Sequence, residues 1–218
     1  MTTDLRLARE NMIEQQIRPW EVLDTRVLET FRTVERARYV PAPYRAVAYT
    51  DVEIPIGEGE RMMKPVLEGR MLQALALTGA ERVLEVGTGS GYVTACLARL
   101  GASVLSLERH PALAQAATGR LAADGIDNTE VMAADALTGF APQDRFDAIA
   151  VTGAMAAVPD AWLDWLAPGG RMFVVRGLAP AMEAVLLTRI DGHVRTDSLF
   201  ETTLDYLHGA APVPRFTL

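Results

Sequence analysis

The sequence predicts an α/β protein with a doubly wound, mostly parallel seven-stranded sheet. Helices precede the sheet and an antiparallel hairpin closes it. Three observations lead there. From residue 82, short apolar runs alternate with helical patterns, as in parallel strands joined by crossover helices. The first of these runs enters a glycine-rich turn, "GTGSG". After Gly177 the alternation stops, and two extended segments flank Asp191-Gly192, a dipeptide suited to a two-residue hairpin loop.

The elements run in this order. Leu5, Ala8 and Met12 fall at helical spacing, and Asp24 is a candidate N-cap for a helix carrying Val27, Leu28, Phe31 and Val34. "RYVPAPY" interrupts the pattern with two prolines. Residues 49–64 show no clean period and read as an irregular or weakly extended arm. Pro65 suits the first turn of a helix carrying Val66, Met71, Leu72 and Leu75. "RVLEV" and "SVLSLE" are strands, "YVTACLARL" and "HPALAQAATGRLAADG" helices. "TEVMAAD", "FDAIAVTG" and "RMFVVRG" are further strands, with "DAWLDWLAPGG" as a helix before the last. "EAVLLTRI" and "VRTDSLFETTLDYL" form the hairpin. One domain over 1–218 is expected: helices and arm over 1–80, a ligand-binding core over 81–177, and hairpin and tail over 178–218.

Composition narrows the function. Half of the 218 residues are apolar and 22% are charged, the balance of a globular protein. A net charge of -7 argues against a nucleic-acid partner, which needs a basic face. Cys96 is the single cysteine, so no disulfide forms within the chain, and His110, His193 and His208 are too scattered for a metal cluster. The N-terminus has no apolar signal core and no run approaches membrane-spanning length, so a cytoplasmic protein without a membrane partner is the expectation. The oligomeric state is open.

The chemistry starts at "VLEVGTGSGY". Gly87, Gly89 and Gly91 between a strand and a helix bring backbone close to a ligand, with helix N–H groups pointing outward. The nicotinamide pattern G-x-G-x-x-G would place its third glycine at Tyr92, so the spacing here is different. Glu85, two residues before the first glycine, suits a cationic ligand group. Glu108 ends the next strand, where a carboxylate can hold both hydroxyls of a ribose, and Asp135 ends the third, where one can accept from an adenine amino group. Each acid can also be read as a cap for the next helix. Together they fit a ligand with an amino-acid cation, a ribose and an adenine, which is S-adenosylmethionine.

With "RYVP", "AYTDVEIPIGEG", "VLEVGTGSGYVTACLA", "LER", "FDAIAVTGA" and "LAPGGRMFVV", the chain resembles the protein-L-isoaspartate O-methyltransferase family, within the class I S-adenosylmethionine-dependent methyltransferases. The glycine motif is common to that class, whereas the arm is particular to the family. The resemblance implies methylation of the free carboxylate of an isoaspartyl residue in damaged protein, a repair reaction. It implies that Gly87, Thr88 and Gly89 line the methionine end of the cofactor. Glu108 would hold the ribose, and Asp135 with Ala136 the adenine. Val151, Thr152 and Gly153 would form the floor beneath the reacting groups. Glu85, Ser90, Gly91, Tyr92 and Arg109 complete the candidate cofactor-binding set. Met63 and Thr152 are the candidate catalytic positions, and no metal is implied.

Met63 stands where the family has a serine beside the acceptor carboxylate, the third-strand "ADA" replaces Gly-Asp-Gly, and the tail "TTLDYLHGAAPVPRFTL" replaces the family's C-terminal segment. Methyl transfer to a carboxylate is an in-line displacement by a nucleophile already ionised at neutral pH, so no general base is required. Methionine cannot donate a hydrogen bond. Met62 and Met63 either pack the arm onto the core, or Met63 makes the acceptor side of the pocket apolar, with Lys64 or Arg61 recognising the anion. Three functions share the cofactor site: an isoaspartyl methyltransferase, an O-methyltransferase for a small-molecule acceptor, and a cofactor-binding protein with little transferase activity. Glu68 faces either the cofactor or solvent, His110 either the ligand or the adjoining helix, and Phe216 and Leu218 anchor the tail to the core or to a neighbour.

Overall fold

The computed structural model describes residues 4–212; the expectation for Phe216 and Leu218 lies outside them. The main sheet has seven strands in the order β5-β4-β3-β6-β7-β8-β9. They are β3 (Arg82–Val86), β4 (Ser103–Glu108), β5 (Thr129–Ala133), β6 (Phe146–Met155), β7 (Leu166–Leu178), β8 (Ala181–Ile190) and β9 (His193–Thr202). The first five are parallel, and β8 and β9 are antiparallel. Asp191 and Gly192, φ 48° and 82°, make the hairpin turn, whose twist needs positive φ at both positions. Val83, Leu84, Glu85 and Val86 of β3 are all buried, because helices cover both faces of a parallel sheet.

Strand order reverses at β3, with β4 on one side and β6 on the other. Ligand crevices form at such a switch point, outside the strands' carboxyl ends. Register sets what meets there. Val86 pairs with Leu107 on one side and Val151 on the other, so Gly87, Glu108 and Thr152 come next at neighbouring strand ends.

The N-terminal helices are α1 (Leu5–Asn11), a π segment Met12–Ile17, a short 3-10 turn and α2 (Thr25–Thr33). Asp24 caps α2, its Oδ1 accepting from Arg26 N at 2.8 Å. Val27, Leu28 and Phe31 bury the predicted face, whereas Leu5 is exposed and burial begins at Met12. Helix α3 (Pro65–Leu75) starts at Pro65; α4 (Tyr92–Leu100) and α5 (Pro111–Ala123) cross over between strands.

Three elements differ from the sequence reading. The arm is a small antiparallel hairpin, β1 (Ile54–Gly57) with β2 (Glu60–Met62), too short to leave a period. The helix expected over 160–170 is only α6 (Asp160–Leu163); β7 starts at Leu166, and Pro168 and Gly169, φ 76°, lie within it, where neither favours a helix. The last strand stops at Thr202. The chain then crosses the end of β6, with Ala154 N donating to Asp205 O (2.8 Å) and Leu207 N to Ala154 O (2.9 Å). That crossing brings the tail to the site.

Candidate active site

The glycines of the turn answer to three different neighbours. All have positive φ: 97° at Gly87, 52° at Gly89 and 86° at Gly91. A Cβ on Gly87 would overlap the Thr152 hydroxyl. On Gly89 it would lie 3.0 Å from Ile56 of the arm, and on Gly91 3.1 Å from Ala117 of α5. Gly91 therefore serves helix packing, and Gly87 and Gly89 keep the cleft open. Thr152 Oγ1 lies 2.9 Å from Val86 O and 2.6 Å from Gly87 O. Its one proton is spent on the turn, leaving lone pairs to face a ligand.

Each acid behaves differently. Glu108, 4% exposed, lines the cleft. Its Oε2 accepts from Gly89 N (2.8 Å) and its Oε1 from His110 N (2.9 Å). Each oxygen keeps a lone pair for a ligand hydroxyl. Glu85 does not line the cleft, which corrects the expectation that it meets a cationic group. It is fully buried below the turn, where Thr94 and Ser106 donate to its Oε2, and Thr88 shares a hydrogen bond with Ser106. Burial pushes its pKa up to about 8, against the pull of those hydrogen bonds, so it is a neutral acid at pH 7. Asp135 is half-buried. Its Oδ1 accepts from Leu137 N (2.9 Å), the local turn that a capping reading expects, and Ala136 packs against the apolar cluster behind β6. Neither Asp135, Ala136 nor Gly91 lines the cleft.

The cleft, about 630 Å³, lies between the arm, the glycine turn and the tail. Glu60, Glu108, Arg109, Thr152 and Tyr206 are in its wall. A smaller lobe of about 300 Å³ continues under the arm to Met63, Thr88, Ser90 and Tyr92. Arg61 and Met62 line both, whereas Lys64 is exposed and lines neither. Met63 is 4% exposed, so it both packs the arm and forms lobe wall.

The sequence reading missed Arg36. It is fully buried and bidentate to Glu68: Nε to Oε2 at 3.1 Å, Nη2 to Oε1 at 3.0 Å. It also donates to Ala48 O (2.9 Å) and Met63 O (2.6 Å). Glu68 is thus held by Arg36 away from bulk solvent, and it lines the lobe with Met63 and Thr88. A signal was present: Glu68 sits three and four residues before Met71 and Leu72 on the apolar face of α3, and a buried acid demands a buried cation. Elsewhere, Cys96 is buried, Trp162 and Trp165 stack within the core at 4.9 Å, and His193 and His208 are exposed.

The residues present fit the adenosyl cofactor. Gly87 and Gly89 form a cradle that side chains would fill, and a carboxylate with free lone pairs stands one strand away. That cradle, at the switch point of a seven-stranded sheet ending in an antiparallel pair, defines a class I S-adenosylmethionine-dependent methyltransferase. Within this class, the chain belongs to the protein-L-isoaspartate(D-aspartate) O-methyltransferase family, whose model matches residues 7–202. It is 40% identical over 191 residues to a protein-L-isoaspartate O-methyltransferase of Methanoculleus marisnigri, covering 88% of this chain and 87% of the relative. It is 38% identical over 221 residues to protein-L-isoaspartate O-methyltransferase 1 of Rhodopseudomonas palustris, covering 98% and 90%. The fold matches a Plasmodium falciparum chain described as a protein-L-isoaspartate O-methyltransferase and crystallised with S-adenosyl-L-homocysteine. The TM-score is 0.79 at 21% identity, over 94% of this chain and 99% of that one.

Proposed function

We propose that the protein methylates the free carboxylate of isoaspartyl residues in proteins and peptides, and that the residues around the cleft divide the work between cofactor and acceptor. Family membership favours this acceptor over a small molecule. Glu108 accepts from the ribose hydroxyls. Thr88, Gly89 and Ser90 bound the methionine end together with Tyr92, and Arg109 flanks the ribose carboxylate. Asp135, which lies beyond the cleft wall at the end of β5, has its second carboxylate oxygen left for an adenine edge that extends past that wall, with Ala136 beside it. Glu85 and Gly91 act through the turn's shape.

Bound S-adenosylmethionine supplies an electrophilic methyl group. The chain supplies position and dryness. An acceptor carboxylate needs no base, so what it needs is orientation and exclusion of water as opposite charges approach. Arg61, which lines both the cleft and the lobe, is the cation that recognises it. Met63 and Met62 form apolar wall, and Thr152 fixes the floor against the glycine turn.

The observation that carries this reading is the joining of cleft and lobe at Arg61, Gly87 and Thr152, where ligand cradle and acceptor side meet. A cytoplasmic repair role goes with it; among the described residues no helix is long and apolar enough to cross a membrane. The test is the initial rate of methyl-ester formation on an isoaspartyl peptide against its normal aspartyl control. Selective turnover of the former is expected. Binding of S-adenosylhomocysteine without any isoaspartyl turnover would refute the acceptor assignment.

A further inference from the structure

The arm is held at two places, in opposite ways. Its base is fixed. Arg36 donates to the carbonyls of Ala48 and Met63, which bracket the arm, and Glu68 anchors the guanidinium from α3. All of these groups are buried. The tip has no such anchor. It reaches across the cleft to the turn between β4 and α5, where His110 Nε2 lies 3.3 Å from Glu60 Oε1 and Nδ1 lies 3.8 Å from Glu58 Oε2.

Two details give this contact direction. His110 occupies the N-cap position of α5, yet its side chain makes no capping bond and turns to the arm instead. Its backbone amide donates to Glu108 Oε1, so the residue that touches the tip is tied to the ribose carboxylate. At the tip itself Glu58 takes φ 55° between Gly57 and Gly59, a left-handed conformation that disfavours a side-chain-bearing residue. A third glycine would suit the turn better, but it would bring no carboxylate to His110.

We propose that the arm is a lid over the cofactor and that His110 is a positioning residue, latching the lid shut through Glu58 and Glu60. The proposal rests on the reading that the cleft holds the adenosyl cofactor. The charged groups around the imidazole are Glu58 and Glu60 from the arm, Glu108 from the end of β4, and the exposed Arg109 beside it. With the ring protonated, both arm carboxylates are attracted. With the ring neutral, one ring nitrogen is an acceptor facing a carboxylate, and the two glutamates repel each other unopposed. Histidine changes charge between about pH 5 and 8. The latch holds with the ring protonated and is lost with it neutral.

The experiment measures release of S-adenosylhomocysteine by stopped flow at pH 6 and pH 8.5, with equilibrium affinity by calorimetry. The parent, His110→Gln and the Glu58→Gln/Glu60→Gln double variant are compared. The parent should release the ligand about three- to tenfold more slowly at pH 6 than at pH 8.5, the range for two partly exposed ion pairs. His110→Gln should release it at about the parent's high-pH rate at either pH, and the double variant should release it faster than the parent does at pH 6, at a rate that does not change with pH. A parent rate that is flat with pH, or variants that keep the parent's pH dependence, would overturn the latch. Absence of any calorimetric binding in the parent would instead overturn the reading of the cleft.

Discussion

Replacing Arg36 by methionine removes the cation from a buried pair at the inner wall of the lobe. Glu68 is 1% exposed, so its carboxylate is left buried and unpaired. The carbonyls of Ala48 and Met63 lose their donors as well. Breaking one side of a buried ion pair costs about 3–5 kcal/mol, against a total domain stability of about 5–15 kcal/mol. Burial lowers the Arg36 pKa and Glu68 more than reverses this, so Arg36 keeps its charge, whereas burial raises the Glu68 pKa against the pull of Arg36. Adding Glu68→Leu to Arg36→Met removes the orphan charge and leaves only the two carbonyls unsatisfied. The double variant should therefore recover about 2 kcal/mol or more of what the single variant loses. Urea unfolding at pH 7, monitored by far-UV circular dichroism, reads both numbers. If the double variant is as unstable as the single, the uncompensated carboxylate is not the source of the loss. A loss below about 1 kcal/mol in Arg36→Met would be equally damaging.

Three further outcomes are expected. Glu108→Ala should weaken S-adenosylhomocysteine binding by about 1–3 kcal/mol in a calorimetric titration while the chain stays folded; parent-like affinity would make Glu108 a strand-end acid only. Glu85→Gln should flatten the pH dependence of stability. Because the folded acid holds its proton up to about pH 8 and an unfolded one only to about 4.5, the parent loses stability as pH rises across that window. The slope is at most about 1.4 kcal/mol per unit, and parallel urea curves for parent and variant at pH 5, 6.5 and 8 would refute it. Met63→Ser should raise isoaspartyl turnover by up to roughly ten- to a hundredfold if a hydroxyl donor is what the lobe lacks, with cofactor affinity intact. An unchanged rate would assign carboxylate orientation to groups other than this position.

The fold was legible where physics leaves a pattern. Parallel strands buried on both faces read as unbroken apolar runs, and the Asp191-Gly192 turn requires the conformation those residues allow. The arm was not legible as a hairpin because Ile54–Gly57 carries Pro55 and pairs through an irregular register with only three residues. The segment 160–170 misled in the other direction: it reads as a helix, but α6 stops at Leu163 and β7 begins at Leu166, with Pro168 and two glycines inside the strand. In the site, the glycine turn and Glu108 could be placed from strand ends alone. Glu85 could have been placed too, since an acid inside a run buried on both faces is itself buried. The contacts of Arg36 and His110 could not, because their partners lie 32 and about 50 residues away, and nothing local encodes that distance.

The donor count decides how this site can work. Thr152 has one proton and gives it to the carbonyls of the glycine turn. Met63 has none to give, although it occupies the wall where an acceptor would lie. The cation that lines both cleft and lobe is Arg61, whose side chain is half exposed and has only Asp205, 3.9 Å away, as an ion-pair partner among the described residues. An exposed guanidinium in bulk water orients a carboxylate weakly, and the same pair out of water interacts far more strongly. Arg61 lies in β2 next to Glu60, the residue that meets His110. With the tip in contact with His110 the Arg61 side chain is still half exposed, so the arm alone does not dry it. Recognition by Arg61 therefore depends on the bound acceptor displacing the water that remains. In this chain, the latched arm sets Arg61 at the cleft and the acceptor completes its burial, which would take over part of what a serine hydroxyl would otherwise supply.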